Sequence, residues 1–182
     1  MAWQPGTSLI FFYSDGISDG WRGYTFILNS DTGKVCELKL GGWALKAHWS
    51  SDGHYLAIAR ATEYSHPFIH STDLTVLDTM TGKLYTLDVL PQNLNGERIV
   101  HDLAWAPDNR HLIVVGIPGN GQNGNDLDGL YLVDFMTGQS IDVLPQYNEF
   151  FSTGAAWSPD GSKLVIRCPI NYVDRLCIIS VK

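Results

Sequence analysis

Two turn motifs that alternate along the whole chain predict an all-β fold, a β-propeller of four repeat units. Three observations carry this. A Trp-led turn recurs four times. A Thr-Gly turn recurs three times between its copies. The segments separating them are short, apolar and rich in β-formers. Four-stranded blades are predicted, about 1–40, 41–90, 91–145 and 146–182, with the last blade lacking its outer strand.

The Trp-led copies begin at Trp3, Trp49, Trp105 and Trp157, spaced by 46, 56 and 52 residues. The fourth reads Trp157-Ser158-Pro159-Asp160-Gly161; the second keeps Trp49, Asp52 and Gly53, and the third Trp105, Pro107 and Asp108. Proline presets φ at the second turn position, the Asp side chain bonds nearby backbone, and glycine supplies the left-handed residue. Asn109 stands where glycine is expected in the third copy, and Asn tolerates that conformation. The first copy, with Pro5-Gly6, reads one residue shorter, so its turn is expected to differ in type.

The second motif occupies Asn29–Lys34, Asp78–Lys83 and Asp134–Gln139. Its leading side chain is expected to cap the turn amides, with Gly33, Gly82 and Gly138 at positive φ. Both motifs are hairpin turns. Strand a therefore ends at the Trp, strand b follows the first turn, strand c ends at the Asp, and strand d follows Thr-Gly. Segments such as Leu130–Val133 and Leu164–Ile166 are apolar on both sides, as strands between neighbouring sheets should be.

Composition fits this picture. The chain holds 18 glycines and 15 Asp against 4 Glu, a bias toward turns over helices. Its net charge of −7 and lack of a Lys/Arg cluster exclude binding nucleic acid by phosphate neutralisation. No apolar run is long enough to span a bilayer, and Met1–Pro5 shows no signal peptide.

The repeats resemble the TolB-type, WD-repeat-like propeller family, whose mark is a Trp-Ser-Pro-Asp-Gly turn followed by an apolar strand. Trp157–Gly161 matches it fully, Trp49–Gly53 and Trp105–Asn109 less so, and the likeness covers essentially the whole chain. It implies a propeller with protein-interaction roles and a periplasmic or extracellular setting, although the chain itself leaves the compartment open. Similar repeats form the propeller that gates prolyl oligopeptidase-type peptidases. The family's motif residues are structural, so Trp49, Asp52, Gly53, Trp105, Pro107, Asp108, Trp157, Pro159, Asp160 and Gly161 are expected to build turns.

The chain ends on the equivalent of a strand c, and no spare strand precedes Trp3. This reads as part of a larger ring or of an oligomeric assembly, with self-association through open blade edges. Binding residues usually sit on variable loops held by a rigid scaffold. The b–c loops, near Ser14–Gly23, Ala61–Thr72, Gly116–Gly129 and Pro169–Asp174, and the d–a loops, near Gly41–Ala44, Pro91–Ile99 and Pro145–Thr153, share one face. Trp21, Trp43, Tyr64, His66, Phe68, His70, Tyr147, Phe150 and Phe151 are the candidate ligand or partner contacts there. The expected function is a non-catalytic scaffold binding a protein or small ligand, the alternative being a gating domain of a larger enzyme. A protein partner is expected, and no cofactor.

Other motifs carry less. Gly16-Ile17-Ser18-Asp19-Gly20 has nucleophile-elbow spacing but is followed by a strand rather than a helix, and no triad assembles around it. His66 and His70 have ligand spacing, yet Pro67 breaks a helix and no third ligand is evident, so no metal is expected. The 119–129 stretch has Asp126, Asp128 and Gly129 in calcium-loop positions, but glycine stands at the first ligand and Phe135 at the last. Cys168 and Cys177 lie symmetrically about the last hairpin near Tyr172, either facing each other in a bridge or buried as free thiols.

Overall fold

Among the described residues, fifteen strands form four antiparallel sheets in chain order. The computed structural model describes residues 1–14, 23–65, 68–90, 99–117, 129–144, 154–170 and 173–181. Sheet 1 holds β1 (Ala2–Trp3), β2 (Leu9–Ser14), β3 (Tyr24–Asn29) and β4 (Val35–Leu38). Sheet 2 holds β5 (Trp43–Trp49), β6 (Tyr55–Ser65), β7 (Phe68–Asp78) and β8 (Leu84–Leu87). Sheet 3 holds β9 (Ile99–Trp105), β10 (His111–Ile117), β11 (Gly129–Asp134) and β12 (Gln139–Asp142). Sheet 4 has three strands, β13 (Ala155–Trp157), β14 (Lys163–Ile170) and β15 (Val173–Ser180). Each sheet is a simple meander, so every strand pairs with its sequence neighbour.

Successive strand residues face opposite sides of a sheet, so each blade presents two faces. One face carries the Trp row: Trp49–Leu56–Leu77 in sheet 2, Trp105–Leu112–Val133 in sheet 3, Trp157–Leu164–Ile179 in sheet 4. The other carries the row one residue earlier on strand a: Ala2–Phe11–Ile27, His48–Ala57–Val76 and Ala104–Ile113–Leu132. Three apolar clusters join them. Phe11 and Ile27 pack against Trp49, Leu56 and Leu77; Ala57 and Val76 against Trp105, Leu112 and Val133; Ala104 and Ile113 against Trp157, Leu164 and Ile179. The core is thus three inter-sheet layers in series. Among the described residues, no such cluster joins sheet 4 to sheet 1.

The Trp side chain earns its recurrence through these layers. Its indole N–H donates to the carbonyl of the residue just before the previous blade's Trp. Trp49 Nε1 reaches Ala2 O at 3.1 Å, Trp105 Nε1 reaches His48 O at 2.9 Å, and Trp157 Nε1 reaches Ala104 O at 3.4 Å. A large apolar ring with one polar tip suits such a place, since the tip needs a partner when the ring is buried. The indole N–H of Trp3, in sheet 1, turns back to Thr7 O at 2.8 Å, and the residue is 59% exposed.

The turns follow the residue chemistry closely. In the second and fourth copies Ser50 and Ser158 donate to Asp52 and Asp160 at 2.6 Å, and each serine accepts the amide five residues on. Where Ala106 replaces the serine, Asp108 itself accepts the amides of Arg110 and His111. Gly53, Asn109 and Gly161 take positive φ, and Asn109, at 55°, is the one non-glycine among the described residues to do so. The Asn109 side chain then caps the neighbouring blade's turn, its Oδ1 accepting from the Ser51 amide and hydroxyl at 2.8 Å. In the Thr-Gly turns, Asn29, Asp78 and Asp134 each accept the two turn amides.

Two expectations are corrected. The first Trp-led copy is not shorter: Trp3 pairs with Ile10 as Trp49 pairs with Leu56. Its turn does differ in type. Thr7 N bonds Gln4 O and positive φ falls on Gly6, one position earlier than in the other copies, which is the type II pattern that Pro5-Gly6 favours. Cys168 and Cys177 are bridged, with Cα atoms 5.9 Å apart, but they are not directly opposite. Cys168 pairs with Arg175 and Cys177 with Ile166, so the bridge runs diagonally, on the face packed against sheet 3.

Candidate functional site

Sheet 2 carries an arm. From the residue paired with the Trp, β6 runs from Leu56 to Ser65, whereas β2 runs from Ile10 only to Ser14. At ~3.4 Å per residue, five further residues extend the β6–β7 hairpin ~17 Å past the corresponding end of β2. Pairing continues out to Tyr64 with Ile69 and Ser65 with Phe68, with register shifts on both sides of Glu63. Such irregularities increase local twist and redirect side chains.

The base of this arm is fixed by polar groups taken out of water. Arg60 grips the Asp73 carboxylate with two donors, Nε at 3.0 Å from Oδ1 and Nη2 against Oδ2. The two side chains are 17% and 9% exposed, and Thr75 Oγ1 adds a third hydrogen bond to Asp73 at 3.2 Å. A bidentate guanidinium–carboxylate pair fixes both partners in one plane. Next to Asp73 on β7, Thr72 Oγ1 accepts the Val100 amide at 2.7 Å and ties the arm to the start of sheet 3. On the other side the linker from sheet 1 lies flat against the arm. Gly42, at φ 89°, comes so close that a Cβ there would overlap the Ala61 carbonyl oxygen.

The opposite end of the blades, at the a–b turns, holds a cleft of about 400 Å³ between sheets 3 and 4. Pro107, Asp108, His111, Leu132, Trp157 and Val181 are among its lining residues. His111 Nδ1 lies 2.6 Å from Asp108 Oδ2. Burial works against the ionised Asp108, but hydrogen bonds from the His111 amide and ring and from the Arg110 amide outweigh it and hold the carboxyl below its ordinary value. Beside it, Arg110 Nη2 meets Asp134 Oδ2 at 2.6 Å and drives that carboxyl well below the usual carboxylate range. Asp160 sits at about 2, held there first by the Ser158 hydroxyl and then by the Ser162 amide and hydroxyl. These carboxylates are therefore committed to the turns as anions, and of the three Asp108 and Asp160 line the cleft.

The sequence-predicted contact residues are distributed unevenly. Trp21, His66, Tyr147, Phe150 and Phe151 lie outside the described residues, as do Gly16–Gly20 and most of 119–129. Tyr64, Phe68 and His70, expected in a loop over Ala61–Thr72, belong instead to the paired strands of the arm. Trp43, expected in the Gly41–Ala44 loop, opens β5 and pairs with Ala61 at the arm's base. The backbone thus brings Trp43, Tyr64, Phe68 and His70 onto one sheet, on β5, β6 and β7. The ladder set up by the buried Ala57, Ile58, Ala59 and Leu74–Leu77 continues outward past the register shifts at Glu63 to Ser65 and Phe68, so tertiary pairing carries it through residues that read as loop. The Arg60–Asp73 pair escaped sequence reading, although opposite charges equidistant from a hairpin centre were its available signal. The cleft at Asp108 and His111 was also missed, because those residues read as turn formers.

Among the described residues, no group of three His, Cys, Asp or Glu side chains converges as a metal site, and no helix is long and apolar enough to cross a membrane.

No family model matches the chain. Solved structures do. A protein assigned as TolB from Agrobacterium tumefaciens is similar over 98% of this chain and 56% of its own, at 18% identity and a TM-score of 0.65. The acylaminoacyl peptidase of Pyrococcus horikoshii matches over 96% of this chain and 29% of its own, at 15% identity and a TM-score of 0.65. The β-propeller domain of the Trilobed protease from Pyrococcus furiosus, described as having an open velcro topology, matches over 97% and 51%, at 16% identity and a TM-score of 0.63. The chain spans about half the length of the first and third of these. At such identities the likeness bears on fold alone. It agrees with the sheet order and the serial core, and the chain is a β-propeller of four blades, the last of three strands.

Proposed function

We propose that this propeller is a non-catalytic binding module that takes a protein partner on the face bearing its b–c and d–a connections. The observation that carries the reading is the β6–β7 arm. It extends beyond the blade body on a base locked by Arg60, Asp73 and Thr72. A hairpin fixed at its base, with Tyr64 and Phe68 far out on its paired strands, supports an aromatic contact with a partner there. The carboxylates and hydroxyls of the a–b and c–d turns are spent on capping, which supports a structural role for that end. A disulfide in place suits an oxidising compartment.

The test is a pull-down comparing wild type with a Trp21/Tyr64/Phe151 triple alanine variant, with His111→Ala as a control on the opposite face. The reading expects partner recovery to fall at least tenfold in the triple variant, with unchanged circular dichroism, and to persist in the control. Equal recovery by both variants would refute it. A second reading, a gating domain of a larger peptidase, draws on the likeness to two protease-associated propellers. It predicts that the same triple variant alters cleavage of large substrates and leaves small ones unaffected.

A further inference from the structure

The layer between sheets 2 and 3 is plugged at its turn-side end, and the layer between sheets 3 and 4 is not. In the first, the Phe135 ring centroid lies 4.7 Å from that of Tyr55, 5.4 Å from Trp105 and 6.1 Å from Tyr85, and the residue is 2% exposed. Register gives each of these residues a counterpart one blade on. Tyr55 pairs with Asp78 as His111 pairs with Asp134, and Tyr85 pairs with Val76 as Ile141 pairs with Leu132. The Phe135 amide bonds Arg110 O and the Val181 amide bonds Ser162 O, in each blade the residue before strand b. Two tyrosines and a phenylalanine are thus exchanged for His111, Ile141 and Val181, with Trp157 in place of Trp105. The latch over the plug is exchanged as well. Asn109 Oδ1 holds the Ser51 amide and hydroxyl across sheets 2 and 3. One blade on, Gly161 and Pro107 stand at those positions, with no side-chain acceptor and no amide hydrogen.

The space this leaves is the cleft of about 400 Å³ whose lining includes His111, Leu132, Trp157 and Val181. It follows from residue identity at positions that both layers possess. Among the described residues, no apolar side chain of sheet 3 beyond Phe135 enters the plugged layer, and Met136 is 57% exposed. The polar side of the cleft comes from Asp108 and Asp160. The partners of Asp160 are hydroxyls and an amide, and those of Asp108 are two amides and the His111 ring, so capping leaves the charge in place. With two carboxylates and one imidazole in the lining, the cleft is negative whichever form His111 takes. Arg110 lies outside the lining, engaged by Asp134.

We propose that this cleft binds a small organic cation with an aromatic body. The ring takes the volume that Phe135 fills one blade earlier, against Trp157, Leu132 and Val181, and the ammonium faces Asp108 and Asp160. The volume suits a small molecule, an indole offers a ring its face or edge, and an ionised donor strengthens a hydrogen bond to carboxylate. The site lies at the opposite end of the blades from the arm and does not rest on partner binding there.

Titration with tryptamine, followed on the ¹⁵N–¹H indole signal of Trp157 as assigned through Trp157→Phe, is the test. The proposal expects a saturable shift with a Kd of about 1 mM or tighter. It expects none with indole-3-propionate, which carries the same ring on an anion. Val181→Phe and His111→Tyr each rebuild one ring of the plug and should abolish the response with an unchanged far-ultraviolet spectrum; either serves if the other misfolds. Asp160→Asn, which keeps a capping oxygen, should weaken binding about two- to fivefold. Lack of saturation with tryptamine up to ~10 mM overturns the proposal. So does equal binding of indole-3-propionate, or unchanged affinity in a folded plug variant or in Asp160→Asn.

Discussion

Replacing Trp105 by Phe keeps an aromatic ring between sheets 2 and 3 and removes the indole N–H. Trp105 is 9% exposed, lies edge-on to Phe135 with centroids 5.4 Å apart, and donates to His48 O at 2.9 Å. Leaving that carbonyl without its donor costs about 1–2 kcal/mol. The volume lost between indole and phenyl adds about 1–2 kcal/mol in a layer that relaxes only in part. The total, about 2–4 kcal/mol, corresponds to a fall in Tm of about 5–15 °C for a chain of this size. Trp157→Phe provides the internal scale. Its hydrogen bond is longer, at 3.4 Å, and its ring borders the turn-side cleft, so about 1–2 kcal/mol is expected. Urea unfolding followed by circular dichroism measures both. Equal losses for the two variants, or a larger loss for Trp157→Phe, would refute the view that the Trp–carbonyl bond between blades sets the cost.

Further perturbations bear on other parts of the account. Asp73→Ala removes one partner of the Arg60 pair and should cost about 2–4 kcal/mol in urea unfolding, with accelerated hydrogen exchange confined to β6 and β7. Cys168→Ser with Cys177→Ser opens a loop of sequence separation 9 and should cost about 2–3 kcal/mol in the same assay, as should reduction of the wild type. Stability should fall on acidification in two limbs. Burial lowers the pKa of His101 below its ordinary 6.5 despite nearby Asp102, so the unfolded chain binds this proton first and stability declines as pH drops through 6.5. Asp108, Asp134 and Asp160, all lowered in the fold, add a second decline below the ordinary 3.8, extending toward 2 for Asp160. Burial lowers His48 in the same way, so His101→Gln should weaken the first limb and His48→Gln combined with it should erase that limb, both keeping the second, in a pH series of thermal melts.

The fold was legible because its information is local and repeated. Each Trp-led and Thr-Gly turn is written in residues whose backbone preference decides the outcome, and Asn109 shows the code surviving a substitution. The strand boundaries at Trp49, Trp105 and Trp157 follow directly. What the motifs do between blades was not legible. That Trp105 reaches a carbonyl 57 residues earlier, or that Asn109 caps Ser51, depends on how blades stack, and spacing in sequence is silent on that. The arm was misplaced for another reason. Ala61–Thr72 contains Thr, Glu, Ser and His, which read as loop, yet tertiary pairing carried the ladder through them. The cysteines were located on the correct hairpin with its centre misjudged, because a two-residue shift in register is invisible without the pairing.

The account rests on blades stacked in series through buried indoles, and indole hydrogen exchange reads this most directly. The chain has six tryptophans, each with a resolvable ¹⁵N–¹H indole signal. Two of these, assigned to Trp49 and Trp105 by substitution, should exchange with the slowest backbone amides of sheets 2 and 3. Exchange of both at the rate of an unfolded chain would contradict the stacking on which every inference above depends.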